Sequence, residues 1–252
     1  KRQAEILHPD VRRAICPDKL SAEAWEEVMM AAAEVAAGER GAGGAGAGRG
    51  GAGEELKNFR ATTTMMFGHV EHAAWHQARH LLRLRDLQVR TEGLFTEFVP
   101  LPFVHMGSPA YLRGHARRGP TLREAVLAHS AARLALHPHF RHIQASWVKM
   151  GPRRASAVLL RSGCDDMGGT LQSESITRAS GAAHGQELLG REIERLVRAV
   201  PGAERRRPAQ RTTLYGSPPA AQVARSLSDL GERPLAPVVK IPAASGLAAA
   251  GL

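Results

Sequence analysis

The chain has 252 residues, 43% of them hydrophobic but only 4% aromatic, with a formal net charge of +10 at pH 7; it is long enough for one or two globular domains. Two cysteines exclude a disulfide framework and suit a reducing compartment. No apolar run reaches the ~18 residues of a spanning helix, and no signal-type segment opens the chain, so a soluble protein is expected.

In chain order, residues 21–37 read as a helix. Trp25, Val28, Met29, Ala32, Val35 and Ala36 recur at spacings of three and four, with Ser21 as cap and Gly38 as stop. Residues 39–60 hold an insert of nearly pure Gly, Ala and Arg, which cannot bury enough apolar area to offset its ordering entropy. Four mostly apolar runs follow as predicted strands, at residues 62–68, 95–104, 142–150 and 163–171. Helical patterns separate them: one through Ala74, Ala78, Leu81 and Leu82, one opening on the Thr121 and Glu124 capping box, and a short one opening at Pro152. A final helix carries Leu189, Ile193, Leu196, Val197 and Val200, and a Pro-, Ala- and Gly-rich tail over 217–252 is expected to be disordered.

Strand and helix in alternation predict an α/β fold with a parallel sheet whose strand ends carry the chemistry. A complete eight-stranded barrel takes about 250 residues, yet only four strands are visible, so half a barrel is expected. The insert would then sit on the face opposite the active site, where insertions are tolerated.

Charged or amide groups inside apolar strands are costly unless they meet a polar cavity or a partner. Glu97, Gln144 and Lys149 are such groups. Period-two alternation puts Gln144 and Ser146 on one face and Ile143, Ala145 and Trp147 on the other. It groups Glu97 with Phe95, Val99, Leu101 and Phe103. Gly68, His69 and Glu71 close the first strand, as a ligand approach or as a turn glycine beside a capping carboxylate. Asp165, Asp166, Gly168 and Gly169 end the last run, suiting ligand contact or a tight turn. His72, His76 and His80 share a helix side at metal-binding spacing but lack a completing acidic or thiol ligand, as do His137, His139 and His142, so no metal site is expected. His129 sits on an apolar face and reads as a packing residue.

Beyond these local signals, an ordered series of blocks resembles the deazaflavin (FO) synthase family, in its tyrosine-cleaving part. The blocks are AEIL (4–7), TTTMMFGHVE (62–71), FTEFVPLPFVH (95–105), IQASWVKMG (143–151), DDMGGTL (165–171), AAHG (182–185) and QRTTLY (210–215). The resemblance implies a radical S-adenosylmethionine barrel. In that family a four-iron four-sulfur cluster cleaves S-adenosylmethionine to a deoxyadenosyl radical, and a 4-hydroxybenzyl group passes from tyrosine to 5-amino-6-(D-ribitylamino)uracil. It implies Gly68, His69, Glu71 and Pro102 on the S-adenosylmethionine side, and Glu97, Gln144, Asp166, Gln210 and Arg211 near the substrates. It also implies two partners, an N-terminal half barrel and a ring-closing radical domain or subunit.

The family holds its cluster through three closely spaced cysteines after the first barrel strand. Cys16 and Cys164 each lack a neighbouring thiol. Asp165 stands where the family has Asn, and Lys1 to Gln3 stand where it has small residues, as if a different exon or a truncated reading begins there.

The expected organisation is a helical segment over 1–38, the insert over 39–60, the C-terminal half of a radical S-adenosylmethionine-type barrel over 61–216, and the tail. The expected function is the distal half of an FO synthase-like enzyme, inactive without the cluster-bearing half. The alternatives are a non-catalytic half-barrel partner and, as the weakest, a nucleic-acid binder. Only five of the 34 basic residues are lysine, and the densest basic run, 205–207, lacks the interleaved aromatics that stack bases.

Overall fold

A computed structural model of the chain describes residues 5–41, 60–170, 174–185 and 187–201. All lie within one unit, Lys1–Gly216. The expected disordered tail, most of the insert, and Gln210 and Arg211 lie outside the described residues.

Three parallel strands form the sheet in the order β1, β2, β3. β1 (Ala61–Phe67) pairs along its whole length with β2 (Phe95–Pro102), and β3 (His142–Ile143) pairs with Glu97 and Phe98. Single parallel bridges extend it at both sides, Glu5 to Met66 and Gln144 to Asp166. Sequence neighbours are therefore spatial neighbours from residue 5 to residue 166, with no reversal of strand order such as a doubly wound sheet requires.

Two of the four expected strands are shorter than the sequence suggested. The run over 142–150 is strand only at His142–Ile143, and Trp147–Met150 is helical (α6). The run over 163–171 contributes one bridge, at Asp166. Side-chain chemistry explains both. Asp165 Oδ1 accepts the Ile143 N–H at 2.8 Å, so a carboxylate takes the place of a main-chain ladder acceptor. Ile143, Ala145, Trp147 and Val148 are all buried, and continuous burial hides the change from strand to helix.

The helices are α1 (Pro9–Ile15), α2 (Ala22–Gly41), α3 (Ala73–Arg90), α4 (Pro109–Leu112), α5 (Leu122–Leu136), α6, α7 (Pro152–Ala157), α8 (Ser175–Ala179) and α9 (Gly190–Arg198). α2 starts where Ser21 Oγ accepts the Ala24 N–H at 3.0 Å, and it runs through Gly41, past the expected stop. The predicted Thr121 and Glu124 capping box opens α5, each side chain accepting the other's backbone N–H.

A bulge in β2 corrects one expected face. Ala61 opposes Phe95 but Thr62 opposes Glu97, so Thr96 is an extra residue and the alternation reverses across it. Phe95 thereby joins Phe98 on the helix side. Phe95 stacks on Phe140 at 6.0 Å and Trp25 at 6.3 Å, and Phe98 meets Phe140 edge-on at 6.4 Å. Glu97 and Val99, flanking Phe98, take the opposite face.

That helix-side face carries the core. Thr63, Met65 and Phe67 are buried whereas Thr62 is exposed and Thr64 and Met66 are half-buried. Leu81, Leu84 and Leu87 of α3 and Ala125, Ala128, Ala132 and Leu136 of α5 cover it. Alanines on α5 allow close approach to the sheet, which is how so few aromatics suffice. His80 and His129 lie inside this layer, confirming His129 as a packing residue. His129 Nδ1 donates to the Ala125 carbonyl at 2.6 Å, and its ring meets Phe67 edge-on at 6.2 Å.

Burial pushes His129 down to about 4 and His80 to about 3, whereas an unfolded imidazole titrates near ~6.5. Between those values the unfolded chain holds the extra proton. Stability is thus fully present above about pH 6.5 and is lost as pH falls, the His129 share levelling off below about pH 4 and the His80 share below about pH 3, with His129 alone accounting for about 3 kcal/mol. Denaturant midpoints measured from pH 7.5 to 4.5 should fall, and His129→Leu should flatten the decline. Parallel profiles for the two proteins would contradict this assignment.

Candidate functional site

Ligands of parallel sheets bind where the strands end at their carboxyl side. At the end of β1, Gly68, His69 and Glu71 form a closed knot. Glu71 accepts the Gly68 N–H at 2.5 Å, the His69 N–H at 2.8 Å and the Gln77 amide at 3.2 Å, with its side chain fully buried. The His69 ring accepts the Val70 N–H on Nδ1 at 2.7 Å, so Nε2 carries the proton and donates to the Met66 carbonyl at 2.9 Å. Burial lowers the pKa of His69, the neighbouring Glu71 carboxylate partly offsetting it. Gly68 has φ +89°, and a Cβ there would lie 2.3 Å from Pro120 Cδ. Gly68 is thus a turn glycine, and Glu71 closes that turn on backbone N–H groups upstream of α3 and does not cap the helix, whose N-cap, His72, makes no side-chain cap hydrogen bond.

The end of β2 is tied to that of β1, for Pro102 opposes Phe67 and the Phe103 N–H donates to the Phe67 carbonyl at 2.8 Å. At the end of β3, an isolated parallel bridge brings Gln144 and Asp166 together. The Ala145 N–H donates to the Asp166 carbonyl at 2.7 Å, and Asp166 Oδ1 accepts the Gly168 N–H at 2.6 Å. Gly168 has φ +75°, and any Cβ there would strike the Gln144 amide. This turn holds the amide against bare backbone.

Asp165 faces away from that turn, binding the guanidinium of Arg133 at 2.8 Å and His142 Nδ1 at 2.9 Å. It locks the strand end to α5. Glu97, in register with His142, stands five residues before the end of β2, roughly 16 Å at ~3.3 Å per residue. It occupies the face away from the helices but a deeper layer than Gln144.

Lys149, conspicuous in the sequence as a charge in an apolar run, lies on α6 directly after Gln144. Sequence reasoning missed its neighbours Glu174 and Thr177, which reach it from 25 and more residues away, and which no local spacing signals.

The histidine row on α3 does not converge. His80 points inward and accepts the Leu7 N–H at 3.0 Å, whereas His76 accepts the His72 N–H at 2.9 Å and lies 4.4 Å from the ring of His8. Among the described residues no group of three or more His, Cys, Asp or Glu side chains is placed to hold a metal ion. Both thiols are buried, and burial raises the pKa of Cys16 and pushes Cys164 up to about 12. Protonated, separate thiols do not fit an iron–sulfur cluster, which thiolates hold. No helix among the described residues is long and apolar enough to cross a membrane.

If the β1 knot is structural, Glu71→Gln should lower stability by about 1 to 3 kcal/mol, because an amide nitrogen replaces one of two oxygens that each accept a buried N–H. Urea unfolding reads this directly, and an unchanged midpoint would refute it.

No family model matches the chain. It is 43% identical over 213 residues to "FO synthase" of Mycobacterium tuberculosis, covering 84% of this chain and 21% of that protein. It is 41% identical over 213 residues to the "5-amino-6-(D-ribitylamino)uracil--L-tyrosine 4-hydroxyphenyl transferase" of Methanopyrus kandleri, and 44% identical over 212 residues to that of Methanoculleus marisnigri. Each covers 84% of this chain and 50% of the relative. The chain thus spans about half the length of these transferases and about a fifth of the FO synthase. The resemblance carried by the sequence blocks is therefore a relationship over most of the chain, to the C-terminal half of the FO synthase family's 4-hydroxyphenyl transferase part.

Proposed function

We propose that the chain is one wall of a radical S-adenosylmethionine-type βα barrel, contributing the substrate-facing half of an FO synthase-like enzyme. The observation that carries this is a coincidence of extent. Identity of 41–44% covers half of each transferase, and the same residues build consecutive parallel strands with helices on one face and a partly open, more polar face opposite. A closed barrel has that order and that two-sidedness.

In this reading the complete enzyme transfers a 4-hydroxybenzyl group from tyrosine to 5-amino-6-(D-ribitylamino)uracil. S-adenosylmethionine and a four-iron four-sulfur cluster serve it, and the cluster is held by the N-terminal half rather than by Cys16 or Cys164. A ring-closing radical domain or subunit takes the product onward. The Gly68, His69 and Glu71 knot and Pro102 shape the backbone on the S-adenosylmethionine side. Gln144, held over Gly168 beside Asp166, supplies an amide to a polar substrate, with Glu97 below it; Gln210 and Arg211, outside the described residues, are assigned to the substrates by the resemblance alone.

Anaerobic treatment of this polypeptide alone with iron and sulfide should yield neither a stoichiometric four-iron cluster nor deoxyadenosine. Adding the N-terminal half of an archaeal 4-hydroxyphenyl transferase should restore both, together with the 4-hydroxybenzyl adduct. A cluster with deoxyadenosine formation on this chain alone would overturn the division of labour. Cluster formation without any adduct would favour a non-catalytic partner role.

A further inference from the structure

Lys149 is a cation without an anion. It sits on α6 just past the end of β3, and its Nζ lies 3.3 Å from Thr177 Oγ1, its one hydrogen-bond partner among the described residues. No carboxylate there comes within 4.0 Å of it. Glu174, the nearest candidate, is committed elsewhere, its Oε2 accepting the Thr177 N–H at 2.8 Å to cap α8. Lys149 is half-buried; an ammonium has three donors, and one long bond to Thr177 leaves two of them for an acceptor that enters from the open side. Burial lowers the pKa of Lys149, and the Glu174 charge only partly offsets this.

The segment over the lysine is built to stay in place. α8 and the turn after it run from the loop following β2, where the Gly107 N–H donates to the Ser180 carbonyl at 3.0 Å, to the turn following α6. There His184 packs so closely on Gly151, at φ +84°, that a Cβ would meet its Nε2 at 2.7 Å. The Glu174 N–H closes the segment onto the Gly185 carbonyl at 2.9 Å. Lys149 is therefore held between two fixed elements, α6 and α8, past the end of β3, with donors to spare.

We propose that Lys149, oriented by Thr177, binds the carboxylate of the amino-acid substrate, L-tyrosine. This rests on the transferase reading above and assigns a role within it. Of the two substrates named for the relatives, L-tyrosine carries a carboxylate, whereas the ribitylaminouracil offers hydroxyls and ring amides. S-adenosylmethionine presents the same amino-acid carboxylate, so the experiment separates the two sources.

The chain has five lysines, so the Nζ environment of each is readable by NMR after labelling lysine at Cε with 13C. Loss of one signal in Lys149→Arg assigns it. With the N-terminal half of an archaeal 4-hydroxyphenyl transferase and its reconstituted cluster present, L-tyrosine should move the Lys149 signal of the labelled chain, while tyramine, which lacks the carboxylate, and S-adenosylmethionine should not. Lys149→Met should weaken L-tyrosine binding by about ten- to a hundredfold, with Lys149→Arg and Thr177→Val in between, circular dichroism verifying the fold of each. L-tyrosine binding that leaves the Lys149 signal unmoved, or tyramine or S-adenosylmethionine moving it as much, would overturn the assignment and leave the transferase reading standing. Absence of binding by both L-tyrosine and ribitylaminouracil would overturn the two together.

Discussion

The parallel ladder between β1 and β2 is the constraint on which the molecule depends. Seven consecutive positions of β1, Ala61 to Phe67, find partners in β2, and a parallel pair needs a crossover, here α3, to connect its ends. Once that ladder is set, side-chain alternation commits Met65, Phe67 and Phe98 to the helices and leaves Thr62, Glu97 and Val99 on the other face. It also commits every strand end to the same side. The Glu71 knot follows β1, and the Gln144 and Asp166 turn and Lys149 follow β3, so all of them lie on the side where the ladder brings the strands out.

Polar chemistry in this chain falls into two kinds. The buried groups at the end of β1 are engaged within the turn: Glu71 takes two backbone N–H groups, and His69 uses both ring nitrogens. Asp165 likewise ties Arg133, His142 and the Ile143 N–H. Such groups fix backbone shape at a strand end. Lys149 is the contrasting case, its charge held in place but not neutralised. That contrast separates scaffold from binding group more sharply than residue type does, since Glu71 and Lys149 are equally unusual as charges near apolar strands.

Much of the fold was legible because periodicity and capping are local. Strand–helix alternation, the Thr121 and Glu124 box, the start of α2 at Ser21 and the burial of His129 all follow from spacing within a few residues. The bulge at Thr96 was not, because neither a glycine nor a break in apolar character marks it. The true extent of β3 was hidden by continuous burial, and only Asp165, more than 20 residues on, shows why the ladder stops. The strand-like pairing of Glu5 with Met66 was likewise invisible to periodicity, since one bridge leaves no pattern. At the site, the single bridge that joins Gln144 to Asp166 spans 22 residues and leaves no local pattern by which sequence could pair them. Sequence reasoning grouped Glu97 with Phe95 on a face that the bulge divides, and it left Lys149 without its neighbours.

On the reading proposed above, the sheet takes up further strands at both sides, where single bridges at Glu5 and Asp166 end the described pairing. Backbone groups at such edges are templates for another strand. Amide hydrogen exchange, followed in this chain before and after mixing with the N-terminal half of the Methanopyrus kandleri transferase, tests it directly. The account predicts that protection rises around residue 5 and around residue 166 while β1 and β2, already paired, change little. Exchange at both edges that is indifferent to the added half would contradict it.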